Sequence, residues 1–421
     1  MQVYACRKRS FVMKLHIAVI GCGDFAKSFV PLFKAHPNVE SVCVCDILPE
    51  RAQAYAEEFG VPVCPSFEDV LADPAIDTVA IFTQRHLHGP MVTKALYAGK
   101  HVYSAVPMAT TPEECGAIIE AVKATGKCYM MGETCIYYPC SMYCRKAYAR
   151  GDFGKFVYGE SQYFHDLSHF PKNFVEDRPN SALPPFFYPT HSTAMLLYAV
   201  GEHAVKVSAV GYKDKEENTP YAVGENPWDN EFSNEFSLMQ LSGGGVARIS
   251  ECRRIGYKAP SSFISGFYGT EGSYQFNNAQ HLVTKLTKAG VDLTDVSDQV
   301  NPYVMTEHRG DEDFKQKVAN HTWQWNGFSP VQDDEYERLP QSFRDIPSKN
   351  GHMASHQLLI DDFCTAAADG KLPKVHAWLA ARFTIPGLVA HESAKQGGVL
   401  LDIPDYGEPD MSLYEGTEAD I

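Results

Sequence analysis

The stretch Gly21-Cys22-Gly23-Asp24-Phe25-Ala26 directly follows the apolar run Lys14–Ile20 and has the form G-x-G-x-x-A. Residues of this type at this spacing hold a pyrophosphate. Gly21 permits a tight strand-to-helix turn, Gly23 lets the backbone approach the phosphates, and the small Ala26 lets the helix lie close to the strand. The helix that follows is expected to offer unpaired N–H groups to the anion. A second apolar run ends at Asp46, where a carboxylate holds the two hydroxyls of a ribose. The same carboxylate repels a 2′-phosphate, and Ile47 is neither small nor basic, so the expected cofactor is NAD rather than NADP. The plainer role of Asp46 is to cap the helix Pro49–Phe59. Cys22, Asp24 and Phe25 of the turn, Arg51 of the next helix, and Thr83, Gln84, His88, Val106 and Pro107 at later strand ends are assigned to the same cofactor.

A second set of residues is suited to moving protons. His191 follows Tyr188-Pro189-Thr190 at the start of an apolar helix, Ser192–Val200. There the positive end of the helix dipole disfavours imidazolium and leaves a ring able to accept a proton. A histidine so placed can also simply cap its own helix. Tyr188 and Tyr163 carry phenols that can relay a proton or donate to a developing enolate, although either could be a core tyrosine. Glu133 closes the last strand of the first domain, at the strand edge where such sheets place ligands, with an interdomain ion pair as the alternative. Asp166 and Arg178 are assigned to substrate, and Arg253 and Arg254 stand where an anionic group could be met.

These side chains need a frame. From residue 13 to 135 strand and helix alternate: strands Lys14–Ile20, Glu40–Cys45, Thr78–Phe82, His101–Ser104 and Cys128–Met131, with helices Pro49–Phe59 and Pro112–Ala124 among those between. Continuous apolar strands separated by helices give a parallel sheet covered on both faces, an α/β doubly wound Rossmann domain that binds NAD. Beyond about residue 150 the strands Phe156–Tyr163, Val205–Tyr212, Phe232–Leu241 and Val246–Cys252 follow one another without long helices. Residues 136–405 are therefore assigned to an α+β domain for substrate binding and oligomerisation, with an open, mainly antiparallel sheet. Helices are expected over Met353–Ala368 and Ala377–Gln396, and Ala289–Glu337 is polar and rich in loops.

The chain has 421 residues, 44% of them hydrophobic and 21% charged, the balance of a soluble globular protein. Its net charge of −15, with no basic run longer than Arg7-Lys8-Arg9, argues against nucleic acid or an anionic membrane as partner. Twelve cysteines include no C-x-x-C pair, and several lie inside apolar runs, which suits reduced thiols in a cytoplasmic protein. Cys135, Cys140 and Cys144 cluster but match no zinc spacing, and no metal is expected. No export signal or bilayer-length apolar segment is found. Residues 1–12 read as an extension before Met13. Apolar side chains on both sides of Phe232–Leu241 point to a homodimer or larger even-numbered oligomer.

The pattern resembles the Gfo/Idh/MocA oxidoreductase family. The residues that carry the likeness are the glycine turn, Asp46, Thr83-Gln84-Arg85-His86-Leu87-His88, Ala98-Gly99-Lys100-His101-Val102, Gly269-Thr270-Glu271-Gly272-Ser273-Tyr274 and His391-Glu392-Ser393-Ala394. Many members of that family carry Glu-Lys-Pro after Gly-Lys-His-Val, and the lysine assists proton transfer. This chain instead reads Ser104-Ala105-Val106-Pro107-Met108, and Val106 cannot transfer a proton. That departure is similar to the family 109 glycoside hydrolases, which cleave glycosides with a tightly held NAD. Further matches are Gly132-Glu133-Thr134-Cys135, Tyr163-Phe164-His165-Asp166-Leu167 and Tyr188-Pro189-Thr190-His191. The resemblance implies a carbohydrate or glycoside substrate, transient oxidation at sugar C3, elimination of the aglycone, addition of water and return of the hydride. It implies a base at His191 and gives Glu133 a part at the leaving-group oxygen. Two other classes stay open: net NAD-dependent oxidation of a glycoside or polyol at C3, and an inactive NAD-binding regulatory protein.

Overall fold

The computed structural model describes residues 14–167, 182–216, 219–257, 261–277, 280–300, 329–346 and 351–414. Its first sheet has five parallel strands, β1 (Leu15–Ile20), β2 (Val39–Cys45), β3 (Thr78–Ile81), β4 (His101–Ser104) and β5 (Tyr129–Met131), in the order β2-β1-β3-β4-β5. Around it run α1 (Val30–Ala35), α2 (Pro49–Phe59), α3 (Phe67–Ala72), α4 (His88–Tyr97) and α5 (Pro112–Thr125). Local chemistry fixes several ends. Thr111 caps α5 by accepting from the Glu114 N–H, Pro112 occupies its first turn, and Gly126 ends it with φ 63°. Pro49 and Gly60 do the same for α2.

One expectation fails in detail. The glycine turn does not run straight into a long helix: a 3₁₀ turn, Ala26–Ser28, comes first, and the six-residue α1 follows. Pro31 explains the break, since it has no N–H to return to Lys27 and its ring crowds that carbonyl.

The second sheet has nine strands: β6 (Phe156–Phe164), β7 (Ala204–Lys213), β8 (Phe232–Leu241), β9 (Val246–Cys252), β10 (Ser261–Gly269), β11 (Gly272–Phe276), β12 (His281–Thr287), β13 (Gly290–Asp295) and β14 (Leu401–Asp402). Their order is β13-β12-β11-β10-β6-β9-β8-β7-β14. Every neighbouring pair is antiparallel except β6 and β9, which run parallel at the centre. Helices α6 (Pro139–Ala149), α7 (Thr190–Val200) and α9 (Ala377–Lys395) pack on one face. On β8, Met239 and Leu241 are buried, whereas Leu238 is exposed, and Val210 and Tyr212 of β7 are exposed as well.

The remaining long helix, α8 (Gly351–Asp369), comes late in the chain but lies against the first sheet. Its Phe363 meets Tyr103 of β4, and Asp361 bonds His36 after α1 at 3.2 Å. Part of the cover over the nucleotide-binding sheet is thus supplied from beyond residue 350. Among the described residues no helix is long and apolar enough to cross a membrane.

Candidate active site

The glycine turn has the shape its sequence implies. Gly21 sits at φ 97°, and a Cβ there would lie 2.8 Å from the Phe82 carbonyl oxygen, so no other residue fits without displacing the backbone. A Cβ on Gly23 would meet nothing within 4 Å, which leaves room where a pyrophosphate approaches. The Tyr55 hydroxyl of α2 donates to the Gly23 carbonyl and holds the turn from behind. Asp46 accepts from the Cys22 N–H at 2.7 Å and the Leu48 N–H at 2.9 Å, which ties the end of β2 to the turn. Asp24 and Phe25 are exposed, Arg51 is exposed on the first turn of α2, and Ile47, beside Asp46, is 95% exposed and itself carries no charge to meet a 2′-phosphate. The residues present fit NAD.

The ends of β3 and β4 close the other side. Gln84 is exposed, and the Thr83 hydroxyl lies 3.5 Å from the Met91 sulfur. His88 is buried, with Nδ1 2.7 Å from the Pro107 carbonyl and Nε2 3.1 Å from the Thr83 carbonyl. Both nitrogens are spent on backbone, so this side chain acts by holding the two loops. Burial lowers its pKa to about 4, although the two carbonyls favour the charged form. Val106 is buried, and with Ala105 beside it the position of the family lysine holds no titratable group.

Glu133, Tyr163, Tyr188 and His191 come from four separate places and meet. Glu133 follows β5 and opens the 3₁₀ turn Thr134–Tyr137, accepting from the Cys135 N–H at 2.8 Å. The same oxygen, Oε1, accepts from His191 Nδ1 at 2.8 Å. His191 lies in the first turn of α7 but does not cap it, because its ring turns to Glu133 instead. Tyr163 and Tyr188 stand edge to face against that ring at centroid distances of 4.9 and 5.1 Å. With Nδ1 committed to the carboxylate, Nε2 is the nitrogen left to react, and it makes no hydrogen bond among the described residues. Burial pushes the Glu133 carboxyl up, but the charge and hydrogen bond of His191, with Thr190 and the Cys135 N–H, outweigh it and hold the group below its ordinary value. A fully enclosed Glu133 thus reads as the partner that orients His191.

The two phenols differ. Tyr163 is fully engaged: its hydroxyl pairs with His165 Nδ1 at 2.8 Å, and burial holds it protonated well above the usual range. His165 is lowered to about 3, by burial first and then by Arg253 and Arg85, so it is a neutral acceptor. Tyr188 is pushed up to about 12 by burial, against the opposing charge of Arg85, whose guanidinium lies 4.6 Å over its ring. Behind Tyr163, and directly opposite it in the β6–β9 pairing, is Glu251. Burial raises Glu251 to about 7, while Arg253 at 2.9 Å and the Ser192 hydroxyl counteract it.

Sequence reasoning missed this Glu251–Arg253–Ser192 network and the stacking of Arg85, although Arg85 lies inside the quoted run Thr83–His88. Arg253 and Arg254 pair internally with Glu251 and Asp214. One oxygen of Asp166 accepts from the Ile255 N–H at 2.9 Å and fixes the loop after β9. Arg178 lies outside the described residues.

Glu133, Cys135 and His191 also present donor atoms within 4.8 Å of one another, a grouping a metal ion could use. Two of the three are already joined by their own hydrogen bond. Burial and the Glu133 charge keep the Cys135 thiol well above its usual value, and a protonated thiol is a poor ligand. Cys140 and Cys144 do not join this grouping.

A dinucleotide turn facing a buried carboxylate–histidine pair defines an NAD-dependent enzyme. Residues 15–133 match the model of the Gfo/Idh/MocA oxidoreductase family with its NAD-binding Rossmann fold. A glycosyl hydrolase family 109 protein of Streptomyces filamentosus is 24% identical over 93% of this chain and 77% of its own. A second family 109 protein, from Shewanella sp. (strain W3-18-1), is 31% identical over 36% of each chain. Levoglucosan dehydrogenase in complex with NADH and levoglucosan superposes with a TM-score of 0.71 at 20% identity, covering 93% of this chain and 100% of that one. The first domain is thus similar to the NAD-binding Rossmann domain of the Gfo/Idh/MocA oxidoreductases.

Proposed function

We propose that the protein acts on a sugar or glycoside by transient oxidation at C3 and most directly serves glycoside cleavage by oxidation, elimination, hydration and reduction. The observation that carries this reading is the His191 ring, held by Glu133 between two phenols, in a site where the family lysine is replaced by Val106. When bound, NAD⁺ supplies the hydride acceptor and gives the hydride back at the end. His191 Nε2 takes the C3 hydroxyl proton, and Glu133 offsets the positive charge the ring then carries. A C3 ketone acidifies the C2 proton, so loss of that proton and expulsion of the aglycone from C1 become feasible. Tyr188, protonated and with its hydroxyl directed by no hydrogen bond among the described residues, donates to the enolate oxygen, while Tyr163 is fixed by His165. Water then adds, and no cofactor is consumed. This route does not need the paired carboxylates of ordinary glycosidases. The likeness to a family 109 protein over 93% of this chain supports it.

Net oxidation of a sugar is the second reading, favoured by the fold neighbour that binds NADH and levoglucosan. Chromogenic glycosides separate the two. Aglycone release without added cofactor and without NADH build-up is expected. NADH accumulating one for one with sugar consumed, and no aglycone, would replace cleavage with oxidation. We also infer a homodimer or larger even-numbered oligomer in the cytoplasm through the face carrying Val210, Tyr212 and Leu238. A monomeric mass by light scattering at micromolar concentration would remove the oligomer.

A further inference from the structure

A histidine from the far end of the chain reaches the cofactor cleft. The first residues of α8 are not helical: His352, Met353 and Ala354 have φ of 48°, 53° and 68°. None is glycine, so each holds its Cβ close to a carbonyl in a conformation L-residues avoid. Gln332 and His356 keep the turn in place. Gln332, buried, donates from Nε2 to the Met353 carbonyl at 2.9 Å and to the Tyr137 carbonyl at 2.8 Å, and its Oε1 accepts from the Ser329 N–H at 2.8 Å. His356, also buried, packs its ring on Phe29 at 4.3 Å. Gly351 makes room for that ring, since a Cβ there would come within 2.6 Å of it.

The turn sets the His352 ring edge-on to Phe25 of the glycine turn, with centroids 5.4 Å apart. The ring is open to the cleft, yet the protein around it lowers its basicity to about 4, with His191 adding to burial and Glu133 opposing it. His352 therefore stands between the glycine turn and the catalytic cluster, along the path a dinucleotide takes from pyrophosphate to nicotinamide.

Its tautomer follows from its neighbour. His356 Nε2 and His352 Nδ1 are 2.8 Å apart, and His356 Nδ1 is buried with no partner. A buried orphan N–H is the rarer and costlier vacancy, so the His356 proton sits on Nε2 and donates to His352 Nδ1. A neutral His352 then carries its own proton on Nε2, which makes no hydrogen bond among the described residues and belongs to an exposed side chain able to donate.

We propose that His352 is a cofactor-binding residue that donates from Nε2 to a phosphate or ribose oxygen on the nicotinamide half of NAD, with His356 and Gln332 as its positioning residues. The contact holds the dinucleotide beside Phe25 of the glycine turn and slows its escape between turnovers. This inference depends on NAD binding and not on the route of glycoside cleavage.

The test is release of NADH from the holoprotein, followed as loss of bound-NADH fluorescence during a chase with excess NAD⁺. His352→Ala is expected to raise the off-rate and Kd by on the order of tenfold, the worth of one hydrogen bond to a charged or polar oxygen. His352→Phe keeps the ring against Phe25 but has no donor, and should do the same. Gln332→Ala should act in the same direction and more weakly, because it loosens only the turn. An unchanged off-rate in a folded His352→Ala, or in His352→Phe should the alanine variant not fold, overturns the assignment. A lowered melting temperature with unchanged NADH release does so equally.

Discussion

The two ends of the active cleft are built on opposite principles. The cofactor end is made of backbone and of side chains that are missing: Gly21 because the Phe82 carbonyl leaves no room, and Gly23 because a phosphate must come close. The catalytic end is made of large buried rings and a buried charge, brought from β5, β6, the segment before α7 and α7 itself. A turn of consecutive residues tolerates little change but can be built locally. A cluster drawn from four segments depends on the whole fold and can be altered one side chain at a time without losing the cofactor.

That contrast is broken most severely at His191. His191→Ala should lower turnover by roughly 10² to 10⁴, the usual worth of a general base, while NADH content after purification stays near that of the parent. Steady-state assays and nicotinamide released on denaturation check both halves. Loss of cofactor together with activity would mean the two ends are not separable. Gly21→Ala is the converse experiment. At φ 97° it should cost about 1–3 kcal/mol in stability and displace the Phe82 carbonyl, lowering the melting temperature and NAD affinity together.

Acid should weaken both ends. His88 has its pKa lowered in the folded state to about 4 from 6.5, so the unfolded chain binds more protons between those values. Its contribution is complete above pH 6.5 and is lost as pH falls towards 4; His101 and His376, lowered by burial to about 4 and about 3, add to the same trend. Glu133, held below its ordinary 4.5, gives way only at lower pH still. Glu251 runs the other way: raised to about 7, its contribution is fully present below 4.5 and lost as pH rises through 7. His165 of the catalytic end, lowered to about 3, follows the same course as His88, so melting curves and bound NADH followed from pH 7 to 3.5 should show stability and cofactor lost together below pH 6.5. The smallest effect is expected at Val106→Lys, which should leave aglycone release no faster. A gain in cleavage would return proton transfer to the family position.

Much of the cofactor end was legible because its chemistry is written in consecutive residues. The strands β1 to β5 fall within a residue or two of the apolar runs that foretell them, and Gly21, Gly23 and Asp46 are where a nucleotide fingerprint puts them. The same reading placed a helix directly after the turn and overlooked what Pro31 does to it. At the catalytic end, the types and order of Glu133, Tyr163, Tyr188 and His191 marked them as candidates, but nothing in the sequence told their division of labour. Periodicity does not reveal that Glu133 is enclosed behind the imidazole, or that His165 occupies the Tyr163 hydroxyl. Glu251 and Arg253 were invisible for the same reason: only the register of β6 against β9 sets Glu251 opposite Tyr163. The turn at His352–Ala354 had no signal, because none of its residues prefers a left-handed backbone.

The parallel seam between β6 and β9 also orders events in time. Strands β7, β8 and β9 pair in sequence order, β8 and β9 through the short turn 242–245, but β6 was made before them and can be joined only after the chain has looped back past two strands. Closing so long a loop carries an entropic cost that local hairpins avoid, so this seam belongs to the slow part of folding. During synthesis the glycine turn and its five-stranded sheet emerge well before Glu251, Arg253 or His352 exist. Substitutions at the seam should therefore be felt in how fast the enzyme matures, and those in the first sheet in whether maturation begins.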